Sequence, residues 1–258
     1  MKLIDMHTHI WFTKDIESEK RLLLQTIEKY GIDMAFVSGL KTYFSTEEEV
    51  SYINDVICMY AKESADVIKG YAYVCPEHRN ALDVVKRGIE EQNMVGVKIW
   101  VSEYCDSDIV SPLAEKIIDY NVPLLIHSSK KSTSQVAKEN TSVNIRNLAL
   151  RYPELKIIMA HIDGNCYNGV QVVRDLENVW VDVSGSSNRT NEIEYAVENL
   201  GEDRVLFGSD LTGCSFAIPY GKVLEADISQ SARSKILYKN TLKLFDRNYK
   251  IERSFKND

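Results

Sequence analysis

Two histidines stand two residues apart near the start of the chain, in Asp5-Met6-His7-Thr8-His9, where a short apolar run of strand character ends. Successive side chains of an extended strand alternate faces, so His7 and His9 project together, with Asp5 behind them. Two imidazoles on one face make half a metal site, although a lone His-x-His also suits a wet edge strand. The other chemistry-bearing residues have a similar setting. Lys98 lies near the end of MVGVKIW, His127 ends VPLLIH, His161 ends LKIIMAH and Asp210 ends RVLFGSD. Four of the five histidines therefore close apolar runs instead of falling in loops or on helix surfaces. The fifth, His78, follows Cys75-Pro76-Glu77 in what reads as an exposed loop. Imidazole and carboxylate ligands gathered at strand ends suit Zn2+ or a similar divalent ion, with metal–nitrogen distances of roughly 2.0–2.1 Å. An open coordination position on such an ion lowers the pKa of a bound water towards about 7.

The elements that must position these residues alternate in type along the chain. Apolar runs at Leu3–His7, Ile32–Ser38, Val67–Val74, Met94–Trp100, Val122–His127, Leu155–His161, Val179–Ser184 and Arg204–Asp210 read as strands. Amphipathic stretches lie between them. In Ile16–Tyr30, Leu22, Leu23, Ile27 and Tyr30 recur at helical spacing before Gly31. Ser45 or Thr46 caps a helix whose first turn carries Glu47, Glu48 and Glu49, placed to meet the positive end of the helix dipole. Further helices are expected over Asn80–Gln92, from Ser111-Pro112 to Tyr120, over Thr141–Arg151, and from Asp227 to Asp246 with a break near Asn240. Strands apolar on both faces, each followed by a helix, describe a parallel sheet covered by helices. Eight such units in 258 residues give the count of a (β/α)8 TIM barrel in one α/β domain spanning 1–258. The rival is a doubly wound open sheet, but the first strand-helix turn has no glycine-rich phosphate cradle.

Composition removes other classes. A net charge of −7 argues against a nucleic-acid or anionic-membrane surface. No apolar run approaches a membrane span and the first residues do not read as a signal peptide, so a cytoplasmic protein is expected. The five cysteines are scattered and lack a Cys-x-x-Cys pair, which points to reduced, partly buried thiols.

The ordered motifs IDMHTHI, GVKIW, VPLLIHSS, KIIMAHIDG, NVWVDVSG and RVLFGSDLTG, with a final helix ILYKNTLKLF, resemble the amidohydrolase superfamily and within it the amidohydrolase-2 group of metal-dependent hydrolases and decarboxylases. The resemblance spans nearly the whole chain. It implies that His7, His9, His127 and Asp210 surround one metal, with His161 orienting water and substrate or binding a second ion, and Asp210 shuttling the proton. In two-metal relatives a carboxylated lysine at the position of Lys98 bridges the ions. All six positions are present here, but the surrounding motifs match the one-metal group better, so one ion is expected and two remain open. Without that modification, Lys98 reads as an inward ammonium needing a carboxylate such as Asp5. Related nucleases fit less well, lacking FGSD at the eighth strand.

The reading is a metal-dependent hydrolase that activates water against a small amide, ester or lactone. The alternative is a decarboxylase of a small unsaturated or aromatic carboxylic acid with the same ligand shell. A barrel holding metal only for structure is the third reading, disfavoured because structural zinc sites are usually closed and cysteine-rich. Lys41, Tyr43, Trp100, Tyr104, Asn188 and Arg189 fall on segments that face a substrate at the barrel mouth; of these Trp100 and Arg189 are the binding candidates, an Arg being suited to clamp a carboxylate. The polar stretch Ser128–Asn140 and the loop Leu211–Lys222 are candidate lids. A small-molecule partner is expected; a homo-oligomer is open, with no segment marking an interface.

Overall fold

The apolar runs pair side by side in chain order. The computed structural model describes residues 2–185 and 189–249, so Asn188 lies outside the described residues. Strands β1 (Ile4–Trp11), β2 (Met34–Leu40), β3 (Ile68–Val74), β4 (Gly96–Ile99), β5 (Leu124–Ile126), β6 (Ile157–Met159), β7 (Val179–Asp182) and β8 (Val205–Leu206) form one parallel sheet in the order β1 to β8. The sheet closes on itself as β8 and the residues after it reach β1, with Met6 N–H donating to Phe207 O at 3.0 Å, Asp210 N–H to His7 O at 2.8 Å, and a bridge between Thr8 and Leu211. The result is a single-domain (β/α)8 barrel. The helices around it are α1 (Ile16–Tyr30), α2 (Glu47–Glu63), α3 (Ala81–Glu90), α4 (Ser111–Tyr120), α5 (Ser142–Arg151), α6 (Cys166–Val173), α7 (Glu192–Leu200), α8 (Ala217–Glu225), α9 (Gln230–Ser234) and α10 (Asn240–Tyr249).

Local chemistry explains the helix limits. Thr46, not Ser45, caps α2: Glu49 N–H donates to Thr46 Oγ1 at 3.3 Å while Thr46 N–H donates to Glu49 Oε2 at 2.9 Å, a reciprocal capping box. Gly31 ends α1 at φ 63°, the left-handed conformation that glycine adopts without penalty. The buried stripe of α1 is Glu19, Leu23, Thr26 and Ile27, whereas Leu22 is 43% exposed, so the expected apolar face is rotated. No break occurs at Asn240. Lys235–Lys239 is a wide π turn that carries α9 into α10, and the Asn240 amide instead donates to Glu202 O at 2.7 Å and Val205 O at 2.8 Å, tying the last helix to β8. The loop after Asp210 is shorter than expected because α8 begins at Ala217.

Two apolar layers hold the barrel. Residues facing the helices, such as Val97, Leu124, Ile157, Val181 and Phe207, form the outer core. Ile4, Met6, Phe36, Tyr71, Leu125, Ile158 and Leu206 fill the interior, where Phe245 of α10 meets Phe36 edge to face with centroids 4.8 Å apart. Ile4 and Met6 face this interior, yet His7 and His9 also converge above it. The pairing of β1 with β2 accounts for both facts: the register shifts between Asp5 and Thr8, and the extra residue changes which side chains point inward. All five cysteines are free, four buried and Cys214 half-buried. No helix among the described residues is long and apolar enough to cross a membrane.

Candidate metal and active site

The carboxyl ends of the strands carry the polar cluster. His7, His9, Lys98, Ser38, Asp182 and Ser184 are almost completely buried there. Close backbone approach makes room for them: a Cβ on Gly208 would lie 2.7 Å from His7 Cβ, and one on Gly185, at φ +86°, would lie 3.0 Å from His161 Nδ1. Two of the site residues also bend the chain. Asp210 has φ 64°, and His161, Ile162 and Asp163 have φ 61°, 43° and 63°, conformations costing roughly 1–2 kcal/mol each in an L-residue. The turn after β6 is held by polar bonds that offset this cost. His161 N–H donates to Asp182 Oδ1 at 3.0 Å, Lys130 N–H to Asp163 O at 2.7 Å, and Ser128 Oγ–H to Asp163 Oδ1 at 2.6 Å.

One ligand-type atom each from His7, His161 and Asp210 lies within 4.8 Å of the other two. His9 joins them, its Nε2 being 3.1 Å from His7 Nε2 and 3.0 Å from Asp210 Oδ1. His127 stands one contact farther along, with Nδ1 3.2 Å from His161 Nε2 and Nε2 3.1 Å from Glu139 Oε1. Lys98 Nζ is 3.1 Å from His7 Nε2, not against Asp5, whose carboxylate is taken by Ser209 N–H at 3.0 Å and Ser209 Oγ–H at 2.5 Å. Trp100 packs between Trp11 and Tyr43, with ring centroids 5.4 and 4.5 Å away, and lies outside the cavity wall; it is Trp11 that stands against His9, at 5.7 Å. Lys41 pairs with Glu49, Tyr104 is exposed, and His78 is half-buried outside the cluster, not fully exposed.

A count of protons shows why this cluster suits a cation. Asp182 is an acceptor for His7 Nδ1–H at 2.8 Å, which leaves His7 Nε2 as a lone pair turned to the centre. From Glu139 the contacts run through both nitrogens of His127 and of His161 to Ser184 Oγ at 2.9 Å, and from there to Asp182 Oδ1. With one proton on each imidazole and one on the hydroxyl, these four contacts share three protons, so one of them sets lone pair against lone pair until His161 takes a second proton or a cation enters. Charge tells the same story. Burial, reinforced by Lys98, pushes His7 down to about 3; burial also lowers His9 and brings His127 to about 4, so these rings are neutral donors. Burial works to raise Asp210, but His161, His9 and His7 outweigh it and hold the carboxyl well below its usual range. Burial likewise opposes ionisation of Asp182, and His7 overrides it. Lys98 is lowered to about 8 by burial, against the pull of Asp210 and Asp182. Neutral nitrogens, an ionised carboxylate and too few protons are the donor chemistry of a divalent cation site.

These shifts have a consequence for the metal-free protein. Between roughly pH 4 and 6.5 the unfolded chain protonates histidines that His7 and His127 keep neutral when folded, so stability falls as pH drops. Asp5 acts in the opposite sense. Burial raises it to about 7, and its contribution is present at low pH and lost as pH rises through that value. Burial raises Asp163 as well, so two carboxyls stand against the three histidines His7, His9 and His127, and the histidines set the direction. Melting temperatures measured in chelator should therefore fall from pH 6.5 to 5; a flat or rising profile would contradict the assignment of neutral, buried imidazoles.

Asp182, Ser184, Ser38 and Glu139 are site residues that motif reading does not single out. The first three sit inward at strand ends, where alternation marks them; Glu139 lies in a polar stretch with no local signal. The cavity above the cluster has a volume of about 610 Å³ and is lined by His127, His161 and Asp210 together with Lys130, Lys131 and Arg189.

The amidohydrolase family model of the amidohydrolase-2 group matches residues 4–247. A search of curated protein sequences finds no match. Among solved structures, a 2,6-dihydroxybenzoate decarboxylase from Rhizobium is 17% identical with a TM-score of 0.77, covering 95% of this chain and 99% of that one. A dihydroxybenzoic acid decarboxylase from a Polaromonas species, with bound manganese and 2-nitroresorcinol, is 20% identical with a TM-score of 0.77 over 96% and 97% of the two chains. A 5-carboxyvanillate decarboxylase from Sphingomonas paucimobilis is 17% identical with a TM-score of 0.75 over 95% and 99%. The match across nearly the full barrel, on a chain whose strand ends gather four histidines and an aspartate, makes this protein a member of the amidohydrolase family.

Proposed function

We propose that the protein is a divalent-metal-dependent lyase that releases carbon dioxide from a small unsaturated or aromatic carboxylic acid. The observation that carries this reading is the charge of the cavity wall, where Lys130, Lys131 and Arg189 surround an opening over His161 and Asp210. Lys131 is neutralised by Glu139 at 2.8 Å, and one Arg189 nitrogen is held by Asn165 Oδ1 at 2.8 Å, which leaves the guanidinium charge for an anion, with Lys130 beside it acting also on Asp163. The scissile group of an amide, ester or lactone is neutral and offers these cations only a carbonyl oxygen, whereas a decarboxylase substrate carries a carboxylate by definition. The three decarboxylases that share the fold support the same choice.

His7, His9, His127 and Asp210 would hold the ion, with His161 beside them. A bound Zn2+ or Mn2+ supplies a Lewis acid that fixes a substrate oxygen and its charge. The chain's own residues do the rest. Arg189 and Lys130 orient the anionic substrate. His161, held through its backbone N–H by the Asp182 carboxylate and through Nδ1 by Ser184, lines the cavity with Nε2 turned to His127. Decarboxylation breaks the bond between the substrate carbon and its carboxylate; the bonding pair stays on that carbon, which takes up a proton as carbon dioxide leaves. Asp210 opens into the cavity with its side chain 18% exposed, and its carboxylate relays that proton from solvent to the carbon, ending ionised as it began.

The test incubates metal-loaded protein with panels of aromatic and unsaturated carboxylic acids, lactones and amides in 18O water. Carbon dioxide release without 18O in the product is expected; 18O incorporation without carbon dioxide would restore the hydrolase. On the substrate so found, Arg189→Ala should raise KM by about tenfold with a smaller change in kcat, the loss of a partly wet charged hydrogen bond worth about 1.5 kcal/mol. An unchanged KM would remove Arg189 from substrate binding.

A further inference from the structure

The polar segment 128–140 forms one wall of the cavity and reaches back into the cluster at a single side chain. Glu139 is 3% exposed although it lies in a loop. Its Oε1 accepts from His127 Nε2 at 3.1 Å and from Lys131 Nζ at 2.8 Å, while Oε2 accepts from Gln135 Nε2 at 2.7 Å and from Val136 N–H at 3.3 Å. Four donors, three of them from this loop turn, thus converge on one carboxylate. Such a group only accepts, so the proton of His127 belongs on Nε2 and the lone pair on Nδ1. Nδ1 is the atom that faces His161 Nε2 at 3.2 Å, on the side of the ring turned to the cluster. With the proton on the other nitrogen, His127 would offer the centre an N–H, which ligates nothing.

We propose that Glu139 is a positioning residue that fixes the His127 tautomer, presents the Nδ1 lone pair to the cation site, and so couples the folding of segment 128–140 to metal affinity. The inference concerns the metal shell and stands whether the reaction is decarboxylation or hydrolysis. Carboxylates that take the outer N–H of a ligating histidine typically contribute 10- to 100-fold in metal affinity. In Glu139→Gln the amide can turn its NH2 to His127 Nε2, drive the proton to Nδ1 and block that lone pair.

Two measurements on the full chain test this. Long-range 1H–15N spectra of the metal-free protein should show His127 protonated at Nε2 and bare at Nδ1; the reverse tautomer in the unmodified protein would overturn the proposal without any variant. Competition with a chelator for Zn2+ and for Mn2+ should show Glu139→Gln binding roughly 10- to 100-fold more weakly, together with a shift of His127 towards the Nδ1–H form. Affinity within threefold of the unmodified protein overturns the proposal. So does weaker binding with an unmoved tautomer, because that combination reports loop disruption and not positioning.

Discussion

Asp210→Asn lowers turnover by about 10²- to 10⁴-fold while the barrel stays folded, the range expected when a positioned proton carrier is removed. The fold tolerates the change for local reasons. Asp210 sits at φ 64°, and asparagine is the side chain besides glycine that most readily occupies this region. Its backbone N–H keeps its bond to His7 O at 2.8 Å, and an amide oxygen can still accept from His9 Nε2, now 3.0 Å from Oδ1. The remaining contact, the Cys214 thiol donating to Oδ2 at 3.3 Å, is the weak one to lose. Chemistry fares worse than packing. A carboxylate held ionised at the cavity floor accepts and returns a proton, whereas an amide does neither. Metal content must be measured on the same sample, because the variant also removes an anionic donor. Full metal with lost turnover identifies the proton role, and near-normal turnover rules it out.

The parts of the architecture written in local patterns are legible in the sequence. Ile16–Tyr30 reads as a helix and is one, and each of the eight apolar runs overlaps an observed strand, β1 and β2 extending beyond theirs to Trp11 and Leu40. Alternation also predicts the inward aim of His127 and Asp182, because strand parity holds from Leu125 to His127 and from Trp180 to Asp182. It fails for β1, where a register shift decides whether Met6 or His7 faces in, and no local pattern marks a bulge whose cause is the pairing with β2. The same limit hides Glu139. Its role arises from a loop folding back over a histidine twelve residues earlier, and the surrounding Ser, Lys and Gln residues read equally well as solvated. The partner of Lys98 is another case. A buried ammonium needs an acceptor and Asp5 was a reasonable one, but Ser209, 204 residues away, claims Asp5 and leaves Lys98 against His7. Trp100 lies on a strand-end segment as expected, yet Trp11 and Tyr43 take up its faces. The cavity wall is assembled from loops far apart in the chain, Lys130 and Lys131 after β5 and Arg189 after β7, so its positive charge is a property of the fold, whereas the metal ligands lie within local motifs.

His7→Ala removes the bound metal, and His7→Asn separates that effect from destabilisation. His7 is fully buried, with Nδ1–H donating to Asp182 at 2.8 Å and Nε2 as the lone pair nearest to His9, Lys98 and Asp210. Alanine deletes both functions. It leaves the Asp182 carboxylate without its side-chain partner across the barrel, a loss of about 1.5–3 kcal/mol for a hydrogen bond to a buried charged group, and it deletes the converging nitrogen. Asparagine keeps an N–H for Asp182 at nearly the position of Nδ1, so most of the stability should return. It supplies no atom in place of Nε2, so the metal should not. Both variants are therefore expected to emerge from desalting with metal content far below one ion per chain, while only the alanine variant melts markedly lower. Elemental analysis and thermal melts decide this, and unchanged stoichiometry in either variant would exclude His7 as a ligand. Native mass spectra of the unmodified protein complete the argument. The amine of Lys98 lies 3.1 Å from the same Nε2, where an ammonium donates to it, so one ion and an unmodified lysine are expected. Two ions together with the added mass of one carbon dioxide would instead make Lys98 a carboxylated bridge and move His7 into a two-metal centre.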